Sequence, residues 1–218
     1  MMPGFTEDQK AAVSMALDAC EKQRKNNTLL RAIKAAGLNP SKTFDGYEFG
    51  SFDWPEMLPK SDFISCDFVK RSENVILFGP PGTGKTHLAT ACGLAACRLR
   101  LRVLFSTTAA FVARLSESYH CGRSSELLHK LSKLDLLILD EWGYIPIDPV
   151  GAQLLFRVLG DFYEKRSVII TTNLAFSEWG QVFDDQKLTS AILDRMVHHS
   201  HFIRFTGESF RIRHSLMA

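Results

Sequence analysis

Short apolar runs bounded by polar or turn-forming residues recur along the chain: Asn74-Val75-Ile76-Leu77-Phe78, Arg102 to Ser106, Leu136-Leu137-Ile138-Leu139, Ser167 to Thr172 and His201 to Phe205. Their length and β-branched content predict strands of a parallel sheet buried on both faces. Stretches with helical spacing lie between them. Thr86 to Leu99 places Leu88, Cys92, Ala95 and Leu99 on one face, and Lys187 to His199 does the same with Leu188, Ile192 and Met196. Trp142 to Pro146 is expected to form a loop. Asp148 then caps a helix that begins at Pro149 and runs to about Lys165, with Leu155, Leu159 and Phe162 inward, and Gly207 to Arg211 is expected to open a final helix. Strands alternating with helices predict an α/β fold. Two helices, Thr107 to Tyr119 and Ser124 to Lys133, stand where a plain crossover needs one, so the second is read as an insertion.

The first part of the chain has a different pattern. Thr6 and Gln9 have capping-box spacing and Val13, Leu17 and Cys20 form a stripe, predicting a helix from Glu7 to Lys25 that ends at Asn26-Asn27. A second helix, Thr28 to Ala36, is expected to stop at Gly37, with Asn39-Pro40 as a breaker. From Phe44 to Trp54, rings at Phe44, Tyr47, Phe49, Phe52 and Trp54 predict an extended arm fastened to a larger body. Ser61 or Asp62 is expected to cap a helix reaching Lys70. The resulting division is a helical N-terminal appendage, residues 1–43, and one α/β domain, residues 44–218.

With 218 residues, 45% of them apolar, the chain can build that core. A formal net charge of +2 excludes a global basic field, so any nucleic-acid contact must be local. Lys22, Arg24, Lys25, Arg31 and Lys34 on the N-terminal helices, and Arg98, Arg100 and Arg102 after the first α/β helix, can hold a phosphate backbone or simply cover solvated helix faces and ends. Five cysteines without a C-x-x-C indicate neither a disulfide framework nor a zinc ribbon. His198, His199 and His201 have no further ligand type beside them, which favours a surface or core role over a metal. No signal-peptide core is evident in Met1 to Lys10 and no apolar run reaches membrane-spanning length, so a cytoplasmic protein is expected.

The chemistry gathers where strands end. Gly79-Pro80-Pro81-Gly82-Thr83-Gly84-Lys85-Thr86 fits G-x-x-x-x-G-K-[ST], with a strand feeding it and a helix leaving it. Glycines let backbone N–H groups approach phosphate oxygens, and the helix start adds positive potential. Lys85 is expected at the β- and γ-phosphates, and the Thr86 hydroxyl at a Mg²⁺ ion. Asp140 and Glu141 close the third apolar run: Asp140 is assigned to Mg²⁺ through water, opposite Thr86, and Glu141 to the attacking water as general base. Asn173, at the tip of the next strand, is placed to orient that water or sense the γ-phosphate. The acid pair favours hydrolysis over a small-molecule kinase.

Together, G-P-P-G-T-G-K-T-H-L-A, L-L-I-L-D-E-W-G-Y-I-P, I-I-T-T-N-L-A-F-S-E-W-G, L-D-R-M-V-H-H-S and G-E-S-F-R resemble the IstB-like ATPases, AAA+ proteins that assist insertion-sequence transposases and are similar to bacterial helicase loaders. The resemblance implies a five-stranded sheet of order 5-1-4-3-2 and a reduced C-terminal lid. It implies an ATP-binding stretch from Gly79 through Thr86 and His87, ATP-dependent oligomers on DNA, and a transposase as partner. Arg195 would be the arginine finger serving a neighbouring subunit, Arg211 the second sensor, and the inserted helix a DNA contact. A replicative helicase loader is the alternative within the same group.

Overall fold

A computed structural model describes residues 6–49, 52–143, 148–181 and 186–210. The apolar runs become β2 (Asn74–Phe78), β3 (Val103–Thr107), β4 (Leu136–Trp142), β5 (Ser167–Thr172) and β6 (Ser200–Phe205). These five strands are mutually parallel and lie in the order β6-β2-β5-β4-β3. Numbered among themselves they read 5-1-4-3-2, as expected. The sheet has one strand more than expected: β1 (Phe52–Asp53) pairs antiparallel with β6, Phe52 opposite Phe205. The ring of Phe52 lies 4.8 Å from that of Phe205, so the aromatic arm is sewn on by backbone pairing as well as by its rings.

Both faces of the sheet are covered. On one lie α5 (Thr108–His120), α6 (Ser124–Leu131), α7 (Pro149–Phe162) and α8 (Gln186–His198), around Leu137, Leu139, Val168 and Ile170. On the other, α4 (Lys85–Arg98) and the short helices α2 (Lys60–Ile64) and α3 (Asp67–Lys70) bury Val75, Leu77, Ile138 and Ile169. The alternation of buried side chains between two cores explains why these strands read as unbroken apolar runs.

Several boundaries differ from the sequence expectation. Glu7–Ala36 is a single helix, α1, which passes through Asn26-Asn27 without a break. Asparagine costs a helix only a fraction of a kcal/mol, about 0.7 at most. Here Gln23 donates to Asn27 Oδ1 at 3.2 Å, and the Thr28 hydroxyl to the Arg24 carbonyl at 2.9 Å. The capping box at Thr6 and Gln9 forms, and Gly37 ends the helix at φ +73°. Conversely, the helix expected to reach Lys70 is cut at Cys66, which is left-handed at φ +59°. On one straight helix Phe63 and Phe68 would point roughly 140° apart. The turn instead stacks their rings 5.5 Å apart in the core, both fully buried. α7 stops at Phe162, short of Lys165, and Trp142 belongs to β4, fully buried, not to a loop. The expected loop at Tyr144-Ile145-Pro146 and most of the expected final helix, with Arg211, lie outside the described residues.

Candidate functional site

β2, β4 and β5 end side by side, and the segments leaving their C-terminal ends face one cavity of about 730 Å³. The loop after β2 holds three glycines with positive φ, Gly79, Gly82 and Gly84. A Cβ at Gly79 would come within 2.4 Å of the Phe205 carbonyl oxygen, so close approach of the last strand, as well as conformation, requires glycine there. Gly84 immediately precedes α4, whose first turn presents Lys85 and Thr86. Lys85 is nearly buried, and its ammonium donates to the carbonyls of Gly79 and Pro80, each at 2.7 Å. This fixes the lysine under the loop that the cavity opens above.

Opposite stands the acid pair. β4 carries one residue more than β5 between the Leu139–Ile170 and Trp142–Thr172 pairs, which makes a bulge of Asp140-Glu141. The bulge separates the two acids. Asp140 is buried at 4% exposure, while Glu141 takes a left-handed backbone, φ +59°, and is exposed to the cavity. Such a conformation costs a non-glycine residue about 1–3 kcal/mol and persists where neighbours hold it. Thr171 on β5 is such a neighbour: its hydroxyl accepts from the Glu141 N–H at 3.1 Å and donates to the Asp140 carboxylate. Thr86 Oγ1 donates to the same Asp140 oxygen at 3.0 Å, and Thr108 Oγ1 to the Asp140 backbone carbonyl at 3.1 Å. Thr171 is a site residue that sequence reasoning passed over, although it sits in the quoted T-T-N run.

Asn173 follows β5 and lines the cavity. Its Oδ1 is buried and has no hydrogen-bond partner among the described residues. A buried acceptor left unpaired costs about 1–3 kcal/mol, so the arrangement suits a donor arriving with a ligand or water.

The far wall comes from the aromatic arm. Tyr47 donates to the Gly84 carbonyl at 3.4 Å and packs its ring 5.1 Å from His87, whose Nε2 lies 2.8 Å from the Thr43 carbonyl. Burial pushes the Tyr47 phenol above its ordinary range, so it stays protonated and a donor. Phe210 N–H donates to the Gly82 carbonyl at 2.9 Å, which brings the segment from Gly207 to Phe210 over the loop.

Thus Gly82, Thr83, Gly84, Lys85, Thr86, His87, Glu141 and Asn173 share one cavity, Asp140 lies beneath it, and Gly79 and Pro80 receive Lys85. Arg195 is not among the lining residues. It sits on α8 with its guanidinium 4.6 Å from the centre of the Phe156 ring on α7. The histidines beyond it each have a polar partner, His198 with Tyr163, His199 with Glu164 and His201 with Glu73, and the rings of His198 and His199 meet edge to face 4.6 Å apart. Among the described residues no group of three or more His, Cys, Asp or Glu could hold a metal ion, and no helix is long and apolar enough to cross a membrane.

A loop of this form between β2 and α4, an acid pair on the strand two places away and a polar tip between them define an AAA+ P-loop protein. The chain belongs to the IstB-like ATP binding protein family, which it matches over residues 6–218. It is 39% identical over 193 residues, 87% of this chain and 76% of the relative, to a protein of insertion sequence IS232 from Bacillus thuringiensis subsp. berliner, named for ATP binding. It is 42% identical over 181 residues, 83% of this chain and 68% of the relative, to the correspondingly named protein of IS21 from Pseudomonas aeruginosa. Among solved structures, AMPPCP-bound DnaA from Aquifex aeolicus shares the fold with a TM-score of 0.61 at 22% identity, over 77% of this chain and 50% of that one. The DnaC helicase loader does so with a TM-score of 0.58 at 18% identity, over 76% and 97%.

Proposed function

We propose that the protein is an ATPase that assists an insertion-sequence transposase by assembling on DNA with ATP and leaving when ATP is hydrolysed. The observation that carries this reading is the position of Thr86 and Asp140, whose side-chain oxygens meet at 3.0 Å directly beneath the phosphate loop, with Glu141 turned into the same cavity. Relatives from insertion sequences named for ATP binding support the biological setting.

In this reading the loop amides and Lys85 bind the β- and γ-phosphates, Lys85 exchanging its two carbonyl acceptors for phosphate oxygens. An alcohol and a carboxylate form the oxygen donor set that Mg²⁺ accepts, so Thr86 and Asp140, partly through water, would hold it. Held there, Mg²⁺ would neutralise phosphate charge. Glu141 takes a proton from the attacking water, and the Asn173 side chain, in hydrogen-bonding position at the strand tip, orients that water. Tyr47 and His87 close the side of the cavity and exclude solvent. Arg195, outside its own cavity, acts as the finger in the site of a neighbouring subunit, and Arg211 serves as second sensor in its own. The inserted helix α6 and the basic face of α1 are the DNA contacts.

The test is retention of labelled duplex DNA with ATP, with ADP and without nucleotide. Retention with ATP alone, lost in Lys85→Ala, is expected. Equal retention under all three conditions would contradict a nucleotide-timed assembly.

A further inference from the structure

Arg195 stands in the last turn of α8, half-buried, and its guanidinium reaches across to α7. One face of α7 and its C-cap receives that turn. Phe156, Gly160 and Tyr163 follow one another at i, i+4 and i+7, and all three are half-buried. The guanidinium lies 4.6 Å from the centre of the Phe156 ring, and the Tyr163 hydroxyl lies 3.3 Å from Nδ1 of His198. No carboxylate among the described residues pairs with Arg195.

Gly160 is the unexpected member of this face. It sits inside a helix without a left-handed φ, where glycine is a poorer helix former than alanine, so conformation does not call for it. Space does. A Cβ at Gly160 would fall 2.7 Å from Arg195 Nη1, and beyond the helix's own backbone the guanidinium is the only group of the described residues within 4 Å. At Gly151, the other glycine of α7, a Cβ would instead meet Val112, Asp148 and Ser116.

A ring face and a glycine slot do together what a carboxylate would not. They fix where a long, flexible side chain ends, and they leave its charge uncancelled for a phosphate. Were the contact only packing between α7 and α8, alanine at 160 would serve it better, as the stronger helix former. We propose that Phe156 and Gly160 are positioning residues that hold the Arg195 guanidinium ready for the nucleotide of a neighbouring subunit, which rests on the reading of Arg195 as a finger acting in trans.

Phosphate release by the full chain with ATP and duplex DNA, ATP affinity and thermal melting are measured on the same preparations. Gly160→Ala displaces only the end of a flexible side chain, so its melting temperature should match or exceed that of wild type and its ATP affinity should be unchanged. Turnover should nonetheless fall about ten- to a hundredfold, as misplacement of a charged group does. Mixing with Glu141→Gln, whose slot and arginine are intact, should restore it. Phe156→Leu should lose turnover similarly, and Phe156→Tyr, which keeps the ring face, should recover most of it. In an Arg195→Ala background Gly160→Ala should add nothing, as for two changes that act through one group.

Three results would overturn the slot and leave the finger standing: wild-type turnover in Gly160→Ala beside an inactive Arg195→Ala, a Gly160→Ala loss that mixing does not restore although it restores Arg195→Ala, or a further loss in the double variant. Wild-type turnover in Arg195→Ala, or an Arg195→Ala loss that mixing does not restore, would overturn both.

Discussion

The hydroxyl of Thr171 donates to the carboxylate of Asp140 at the floor of the cavity. Through its other face the same hydroxyl accepts from the Glu141 N–H, so one side chain fixes the depth of one acid and the backbone of the next. Thr171→Val keeps the shape and removes both bonds. It is expected to lower ATP turnover at least about tenfold with ATP affinity little changed, and to cost about 1–3 kcal/mol of stability, because a buried carboxylate loses a partner. Thr171→Ser should recover most of the turnover. Steady-state phosphate release, nucleotide titration and denaturant unfolding of both variants provide the comparison.

The crest of the loop has no room for a side chain. A Cβ on Gly82 would fall 2.0 Å from the Ser209 hydroxyl, and the backbone there is left-handed at φ +80°. Gly82→Ala should weaken ATP binding and displace the segment from Gly207 to Phe210. The double variant Gly82→Ala/Ser209→Gly should recover only part, because the backbone strain remains. Titration with a fluorescent ATP analogue reads both effects.

Asp148 ties α7 to α5, accepting from the Gly151 N–H at 2.9 Å and from the Ser116 hydroxyl at 2.9 Å. The Gly151 N–H holds the Asp148 carboxyl below its ordinary value of 3.8, with burial opposing it and the Ser116 hydroxyl adding to it. A carboxyl lowered in the fold contributes stability that is present above that ordinary value and lost as pH falls through the folded one. Asp148→Ala should therefore cost about 1 kcal/mol at pH 7, as loss of a helix cap does, and progressively less as pH drops below about 4. Thermal melts of both proteins from neutral to acid pH measure the difference.

Much of this site could be read from the chain because each part lies where a buried strand ends, and such strands are unmistakable as apolar runs. The order of chemistry along the sequence, loop, acid pair, Asn173, needed only parallel strands to become one cavity. The bulge at Asp140-Glu141 was not legible: nothing in Leu139-Asp140-Glu141-Trp142 says that β4 carries an extra residue, and only the register against β5 reveals it. Thr171 was hidden for the same reason, as its partners lie 30 residues away. The two-residue strand Phe52–Asp53 was too short for any period to announce it. Asn26-Asn27 misled because local turn preference is weaker than the helical bonds on either side.

Arg195 stacks on Phe156, clear of the cavity of its own chain. If it serves a neighbour, Arg195→Ala should bind ATP normally yet fail to hydrolyse it on DNA. Mixed with a Glu141→Gln partner, which keeps its arginine, it should regain turnover. An absence of rescue would place Arg195 in its own subunit's structure alone.

If this cavity hydrolyses ATP, Glu141 is the group that activates the water. The direct measurement is ATP affinity and phosphate release in the same preparations of wild type and Glu141→Gln, with DNA present. Equal affinity with turnover lowered about 10²- to 10⁴-fold, the range for a positioned general base, is the predicted result. Turnover by Glu141→Gln at the wild-type rate would contradict it.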